Sequence, residues 1–264
     1  MIISAAIIIG LMIGSFLNVC IYRMPRERSI VTPRSYCPAC KHQIPYYDNI
    51  PVLSFILLLG KCRFCKKSIS LRYVTVEVLT AIIFAILIKV LGLNPVTVIY
   101  MVLSAGLIIA TFIDFEYQII PDEITYGGML VGVIASLAFP QLHNTANRFY
   151  ALRDSLFGII LGGALIYLIA SIGTIAFRKK LKEIGQESAM GGGDVKYMAM
   201  IGAFLGWQGA VFVFFLAPFF GSFVGVIEKL RKRADIIPYG PYLSLATLIV
   251  ILLGDKILQT VFPR

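Results

Sequence analysis

Two aspartates, Asp114 in the stretch FIDFEYQIIPDEIT (112–125) and Asp194 closing GGGD (191–194), stand where strongly apolar stretches end or begin. A carboxylate at the edge of a membrane span is costly unless it faces protein or water, so each is a candidate for function. Brought together, two aspartates share one proton, because like charges a few ångströms apart cannot both ionise. The ionised partner then takes a proton from water while the protonated one donates to a scissile carbonyl, which hydrolyses a peptide bond without metal or covalent intermediate. Gly191 and Gly193 lack a Cβ and let backbone or substrate come close beside Asp194, and Lys196 follows as a supporting cation. The local sequence also fits Asp194 as a helix N-cap. Glu116, Asp122 and Glu123 read as solvated loop acids or caps, with Pro121 marking a helix start. Glu77, one turn inside an apolar run, requires a partner such as Arg72 or a bound cation.

A second constellation is built of cysteines. Cys37 and Cys40 form one Cys-x-x-Cys knuckle, Cys62 and Cys65 another. That spacing lets both sulfurs of a tight turn face one ion, so the four thiolates suit a tetrahedral Zn²⁺. Two disulfides are the alternative in an oxidising compartment, and redox chemistry is a third reading. Cys20, within the first apolar run, reads as a small apolar residue, and His42 as a bystander to the knuckles.

The elements that must position these groups follow from composition. With 264 residues, 58% of them hydrophobic and only 14% charged, the chain lies outside the range of soluble domains and reads as an all-α polytopic membrane protein. Apolar runs long enough to cross about 30 Å of hydrocarbon occur near 1–21, 74–92, 95–113, 124–140, 155–177, 195–207, 209–227 and 241–261, about eight spans, the sixth being short. The first run has no preceding Lys or Arg and no small-residue cleavage signature, so it reads as a retained span. In that arrangement nineteen of the 24 Lys and Arg fall on one side, which the positive-inside rule makes the cytoplasm, with both termini outside. The net charge of +10 is then a loop bias and not a nucleic-acid surface. Both aspartates and the cysteine loop share the basic side, a reducing compartment that favours zinc over disulfides. Three segments are expected: a first span (1–21), a small zinc-binding domain (22–73) and a membrane domain carrying both aspartates (74–264).

GSFLNVCIYRMP, CPAC with IPYYDNIPVLS, GKCRFCKKSISLRYVTVE, FIDFEYQIIPDEIT, GGGDVKYMAMIGAFLG and PYGPYL resemble, in order, the bifunctional type IV prepilin peptidases, over nearly the whole chain. Gly191-Gly192-Gly193-Asp194 is also similar to the Gly-x-Gly-Asp pattern of presenilin-like intramembrane aspartic proteases. The resemblance implies a bacterial inner-membrane enzyme, its active site and zinc loop on the cytoplasmic side, that removes the short basic leader of type IV prepilins and of the pseudopilins of secretion systems. It further implies methylation of the new N-terminus with S-adenosylmethionine. The family's two aspartates match Asp114 and Asp194, its zinc cysteines match Cys37, Cys40, Cys62 and Cys65, and a glycine associated with methylation matches Gly60. Asn18, Asp48, Asn49 and Glu77 are expected near the methyl-transfer site, and Glu116, Asp122 and Glu123 are placed to attract a basic leader. The competing readings are a peptidase with a purely structural zinc loop, and an ion or proton transporter. A transporter would hold its acids near the bilayer midplane and show internal repeats, whereas the two key acids here lie at span edges.

Overall fold

The computed structural model describes residues 1–183, 188–230 and 238–261. Arg231, Lys232, Arg233 and Arg264, all counted in the charge balance above, lie outside them. Among the described residues the chain is helical throughout, with two isolated antiparallel bridges, Tyr36 to Gln43 and Lys61 to Ser68. The helices are α1 (Ile2–Arg23), α2 (Leu53–Leu57), α3 (Leu71–Leu91), α4 (Pro95–Tyr117), α5 (Asp122–Ala138), α6 (Arg148–Ala176), α7 (Arg178–Glu183), α8 (Gly192–Leu230) and α9 (Gly240–Val261). They divide into two compact units, Met1–Ile109 and Ala110–Arg264, with the boundary inside α4.

Among the described residues, five helical segments are long and apolar enough to cross a membrane: Ile2–Arg26, Leu71–Leu91, Pro95–Tyr117, Arg148–Ala176 and Gly192–Gly225. The 17-residue α5 and the apolar stretch Gly240–Gly254 of α9 are shorter. The expected sixth and seventh spans both fall within α8, which is broken at Gly206 (φ 67°, ψ −177°), a conformation that glycine reaches without steric cost. The fifth span begins earlier than its apolar run suggests, because Asn147 caps α6 by accepting from the Phe149 N–H at 2.9 Å.

Small residues set the packing in each unit. In the first, a Cβ on Gly10 would lie 2.6 Å from the Ala81 Cα, and one on Gly14 would lie 2.6 Å from the Glu77 Cα, so the α1 and α3 backbones nearly touch. Asn18 continues the series one turn on, donating to the Tyr73 carbonyl at 2.9 Å, and the opposed order of these pairs makes the helices antiparallel. In the second unit α5, α6 and α9 all pack on α8. Gly158 of α6 lies against the Gly202 carbonyl of α8, a Cβ on Gly162 would meet the Met198 carbonyl at 2.7 Å, and the Ser155 hydroxyl donates to the Ala203 carbonyl at 2.8 Å. On another face Gly132 of α5 leaves room for Ala203, since an added Cβ would lie 2.8 Å from the alanine methyl.

Packing this close predicts a large effect of bulk. Gly158→Leu is expected to cost about 3 kcal/mol or more by overpacking. Its melting temperature in detergent should fall well below that of Ile160→Ala, a change on the 66% exposed face of the same helix. Equal melting temperatures would show that the α6–α8 contact is loose.

Candidate functional site

In the first unit the two knuckles are copies of one local structure. The Cys37 N–H donates to the His42 carbonyl and the Cys62 N–H to the Lys67 carbonyl, both at 2.9 Å. Each turn closes through a lysine at positive φ, Lys41 at 61° and Lys66 at 58°, whose N–H returns to the Cys37 and Cys62 carbonyls at 2.9 and 3.0 Å. The Sγ atoms of Cys37, Cys40, Cys62 and Cys65 all lie within 4.8 Å of one another. The Cys37 and Cys65 sulfurs are 3.8 Å apart, and all five cysteines are free thiols. A tetrahedral ion with metal–sulfur bonds of about 2.3 Å has sulfur–sulfur edges of about 3.8 Å. The arrangement is that of a metal site and not of two disulfides. Cys20 is buried in α1, as a small apolar residue would be, and His42 stacks on Phe64 with ring centroids 3.6 Å apart.

The knuckles, the end of α1 and the start of α3 enclose a cavity of about 510 Å³. Asn18, Asp48, Asn49 and Glu77 all line it, together with the aromatic side chains of Tyr22, Tyr36, Phe55 and Tyr73. Asn18 is 1% exposed. Its Nδ2 donates to the Gly14 and Tyr73 carbonyls at 3.2 and 2.9 Å, and two acceptors there fix the orientation of the amide. Its Oδ1 is left buried without a hydrogen-bond partner. Glu77 is 7% exposed and accepts from the Val52 N–H at 2.8 Å, with the Ser15 side chain as a second hydrogen-bond partner. Val52 meets it from φ 62°, an uncommon conformation for a β-branched residue and one that costs about 1–3 kcal/mol. Asp48 is held by two bonds from Arg63, 2.6 and 2.7 Å long, and that guanidinium keeps its carboxyl below the usual range. Gly60 does not line the cavity. At φ +66° its α-carbon faces the Phe55 ring, which a Cβ would meet at 3.0 Å, so Gly60 shapes the wall through Phe55.

In the second unit the C-terminal end of α4 meets the N-terminal ends of α5, α8 and α9. Asp114, 5% exposed, lies in the last turn of α4 and accepts from the Gly240 N–H at 2.9 Å. A Cβ on residue 240 would lie 2.8 Å from the Asp114 Oδ2, so a larger residue there would displace that carboxylate. Asp194 lies in the first turn of α8, inside the helix and not ahead of it as an N-cap, and its N–H returns to the Gly191 carbonyl at 3.1 Å. The two carboxylates are close enough to interact electrostatically. Ile120 packs between their supports: a Cβ on Gly193 would meet its Cβ, and one on Gly240 its Cδ1, each at 3.3 Å. Tyr239, just ahead of α9, feels the Asp194 charge, but burial is the larger reason its phenol is pushed up to about 12.

Lys196 pairs with neither Asp114 nor Asp194. It donates to Asp122 at 2.6 Å and its Nζ sits 5.2 Å from the centre of the Tyr126 ring. Asp122 is 58% exposed, as a solvated acid would be, and is paired there with Lys196. The cause is helix packing: α5 and α8 start side by side, so their first-turn charges face each other. One turn deeper, a group of hydroxyls, Tyr197 and Ser244 buried and Thr111 half-buried, escaped the sequence reading. Thr111 donates to the Ser244 Oγ at 2.8 Å, Ser244 donates to the Gly240 carbonyl at 2.9 Å, and the Tyr197 hydroxyl is 2.7 Å from the same Ser244 oxygen.

Comparison with known proteins places this geometry in context. Residues 8–91 match the Bacterial Peptidase A24 N-terminal domain, and residues 101–226 match the Type IV leader peptidase family. A Prepilin leader peptidase/N-methyltransferase of Myxococcus xanthus is 38% identical over 223 residues, covering 84% of this chain and 62% of the relative. Proteins of the same description from Pseudomonas aeruginosa and Aeromonas hydrophila are 34% and 33% identical, each match covering 96% of this chain and 91% of the relative. No solved structure matches the chain.

Proposed function

The chain belongs to the type IV leader peptidase family, and from that premise we propose that it removes the leader of prepilins and pseudopilins at Asp114 and Asp194 and then methylates the exposed amine in the cavity of the first unit. The observation that carries the peptidase reading is that Gly193, beside Asp194, and Gly240, whose N–H holds Asp114, both pack on Ile120, which brings the two helix ends together. In this mechanism Asp114, at the positive end of α9, acts as the carboxylate that takes a proton from water. The water oxygen bonds to the scissile carbonyl carbon while Asp194 gives its proton to the carbonyl oxygen. Collapse of the resulting diol reforms the carbonyl and breaks the carbon–nitrogen bond. The leaving nitrogen takes up a proton from Asp114, and Asp194 recovers its own from the diol. Incubating the purified chain with a prepilin and radiolabelled methyl donor tests both activities; release of leader and one methyl per new N-terminus is the expected result, and an intact prepilin would refute the reading.

The charge distribution supports a cytoplasmic position for both sites and an outer position for both termini. The substrate's own apolar helix would then hold it in the membrane while its basic leader is cut at the cytoplasmic interface.

The chemistry of four clustered thiols fits zinc, held by Cys37, Cys40, Cys62 and Cys65 in a structural role. The cavity fits S-adenosylmethionine in size and character: its volume is within the range of small-ligand pockets, and it offers the orphaned Asn18 Oδ1 and a buried carboxylate. When bound, the donor supplies an electrophilic methyl carried on a positively charged sulfur. Tyr22, Tyr36, Phe55 and Tyr73 give the aromatic faces that such a cation favours. Glu77 and Asn18 are the acceptors for its amine or for the amine to be methylated, and Asp48 and Asn49 complete the polar wall. Glu77→Gln is expected to lower methyl transfer about 100-fold while leader cleavage stays within about twofold of normal. Equal loss of both activities would sink the assignment of separate sites.

A further inference from the structure

Beneath the aspartates, three hydroxyls tie three helices together. Each lies one helical turn from a residue of the hydrolytic site: Thr111 precedes Asp114 on α4, Tyr197 follows Asp194 on α8, and Ser244 follows Gly240 on α9. Tyr197 is 0% exposed and Ser244 5%. Ser244 is the hub of the group: its hydroxyl donates to the Gly240 carbonyl at 2.9 Å, accepts from Thr111 at 2.8 Å and hydrogen-bonds the Tyr197 hydroxyl at 2.7 Å.

A continuous path follows from these contacts. The Tyr197 hydroxyl hydrogen-bonds the Ser244 hydroxyl, Ser244 donates to the Gly240 carbonyl, and the N–H of the same Gly240 donates to the Asp114 Oδ2. The helix that carries Asp194 is thus connected through hydrogen bonds to an oxygen of Asp114. The membrane interior has no competing water, so losing one member leaves its partners unsatisfied and free to shift. We propose that Thr111, Tyr197 and Ser244 are positioning residues that set the separation and orientation of Asp114 and Asp194 for hydrolysis. The proposal rests on the reading of those two aspartates as the hydrolytic pair.

The test uses the full chain in detergent with a prepilin, comparing Tyr197→Phe, Ser244→Ala, Ser244→Thr and the double variant Tyr197→Phe/Ser244→Ala. A misplacement of the reacting groups by about 1 Å costs about 100-fold in rate, so kcat should fall on that order in Tyr197→Phe and Ser244→Ala with KM within about twofold. The double variant should lose no more than about threefold beyond the worse single one, because both remove the same connection. Ser244→Thr keeps the hydroxyl and should recover most of the lost turnover. Methyl transfer to a substrate already cut should be unchanged. A role confined to helix packing would lower the melting temperature but leave kcat per folded molecule normal, and that result overturns the proposal, as do multiplicative losses in the double variant. Should Ser244→Ala fail to fold, Tyr197→Phe decides alone, since it removes a single oxygen. Asp114→Asn and Asp194→Asn run alongside: if they stay active the hydrolytic reading itself fails, whereas inactive aspartate variants with a normal Tyr197→Phe reject only the positioning role.

Discussion

Asp114→Asn and Asp194→Asn are each expected to lower prepilin cleavage by about 10⁴-fold, at the upper end of what one general acid or base contributes. Asparagine is nearly isosteric with aspartate, and in Asp114→Asn the amide oxygen can still accept the Gly240 N–H that Asp114 now receives at 2.9 Å. Packing should therefore be kept, and the melting temperature should stay within a few degrees of wild type. What the change removes is the ability to take a proton from water or give one to the carbonyl. The two roles are complementary, so the double variant should be no slower than the worse single one. Methylation of a pre-cut substrate should proceed normally, because Asn18, Glu77 and the rest of that cavity belong to the first unit. Single-turnover cleavage assays on purified variants measure the effect. Turnover within tenfold of wild type in either would remove the two-aspartate mechanism.

The second large effect concerns the thiols. Cys37→Ser and Cys62→Ser each break one knuckle, and the metal content should drop from about one zinc per chain to nearly none. Structural zinc binding is worth about 10–16 kcal/mol in small domains, more than a segment of this size can otherwise supply. The loop between the knuckles also carries Asp48, Asn49, Val52 and Phe55, which line the cavity. Loss of the ion should thus abolish methyl transfer, with a lower yield of folded protein but normal cleavage per folded molecule. Elemental analysis beside the two activity assays is the measurement. Full methyl transfer by a metal-free variant would show that the four cysteines do not organise the loop.

The residues that stand out in the sequence do so for chemical reasons. Acids at the ends of apolar runs and paired thiols at fixed spacing are rare enough in a membrane chain to be noticed singly. The structure brings Asp114 and Asp194 to neighbouring helix ends and gathers the four sulfurs within 4.8 Å. It also sets Asn18, Asp48, Asn49 and Glu77 around one cavity. Thr111, Tyr197 and Ser244 carry no such mark, because a lone hydroxyl in an apolar helix more often bonds its own backbone, as Thr80 does to the Val76 carbonyl at 2.7 Å. Their meaning arises only when α4, α8 and α9 come together across separations of 47 and 133 residues. Gly240 is hidden for the same reason: nothing local shows that its N–H faces a carboxylate 126 residues earlier. Lys196 is legible as a cation beside Asp194, but its partner Asp122 follows from the packing of α5 against α8.

The cavity wall between the two knuckles has a thermodynamic consequence. Residues Asp48 to Phe55 belong to a loop whose ends an ion at the four sulfurs would join, so metal binding removes chain entropy that a ligand of the cavity would otherwise have to remove. Two ligands that order the same loop are linked reciprocally: zinc would tighten a methyl donor in the cavity, and the donor would tighten zinc by the same factor. Methylation by this chain would then report on metal supply, while leader cleavage, housed on other helices, would not.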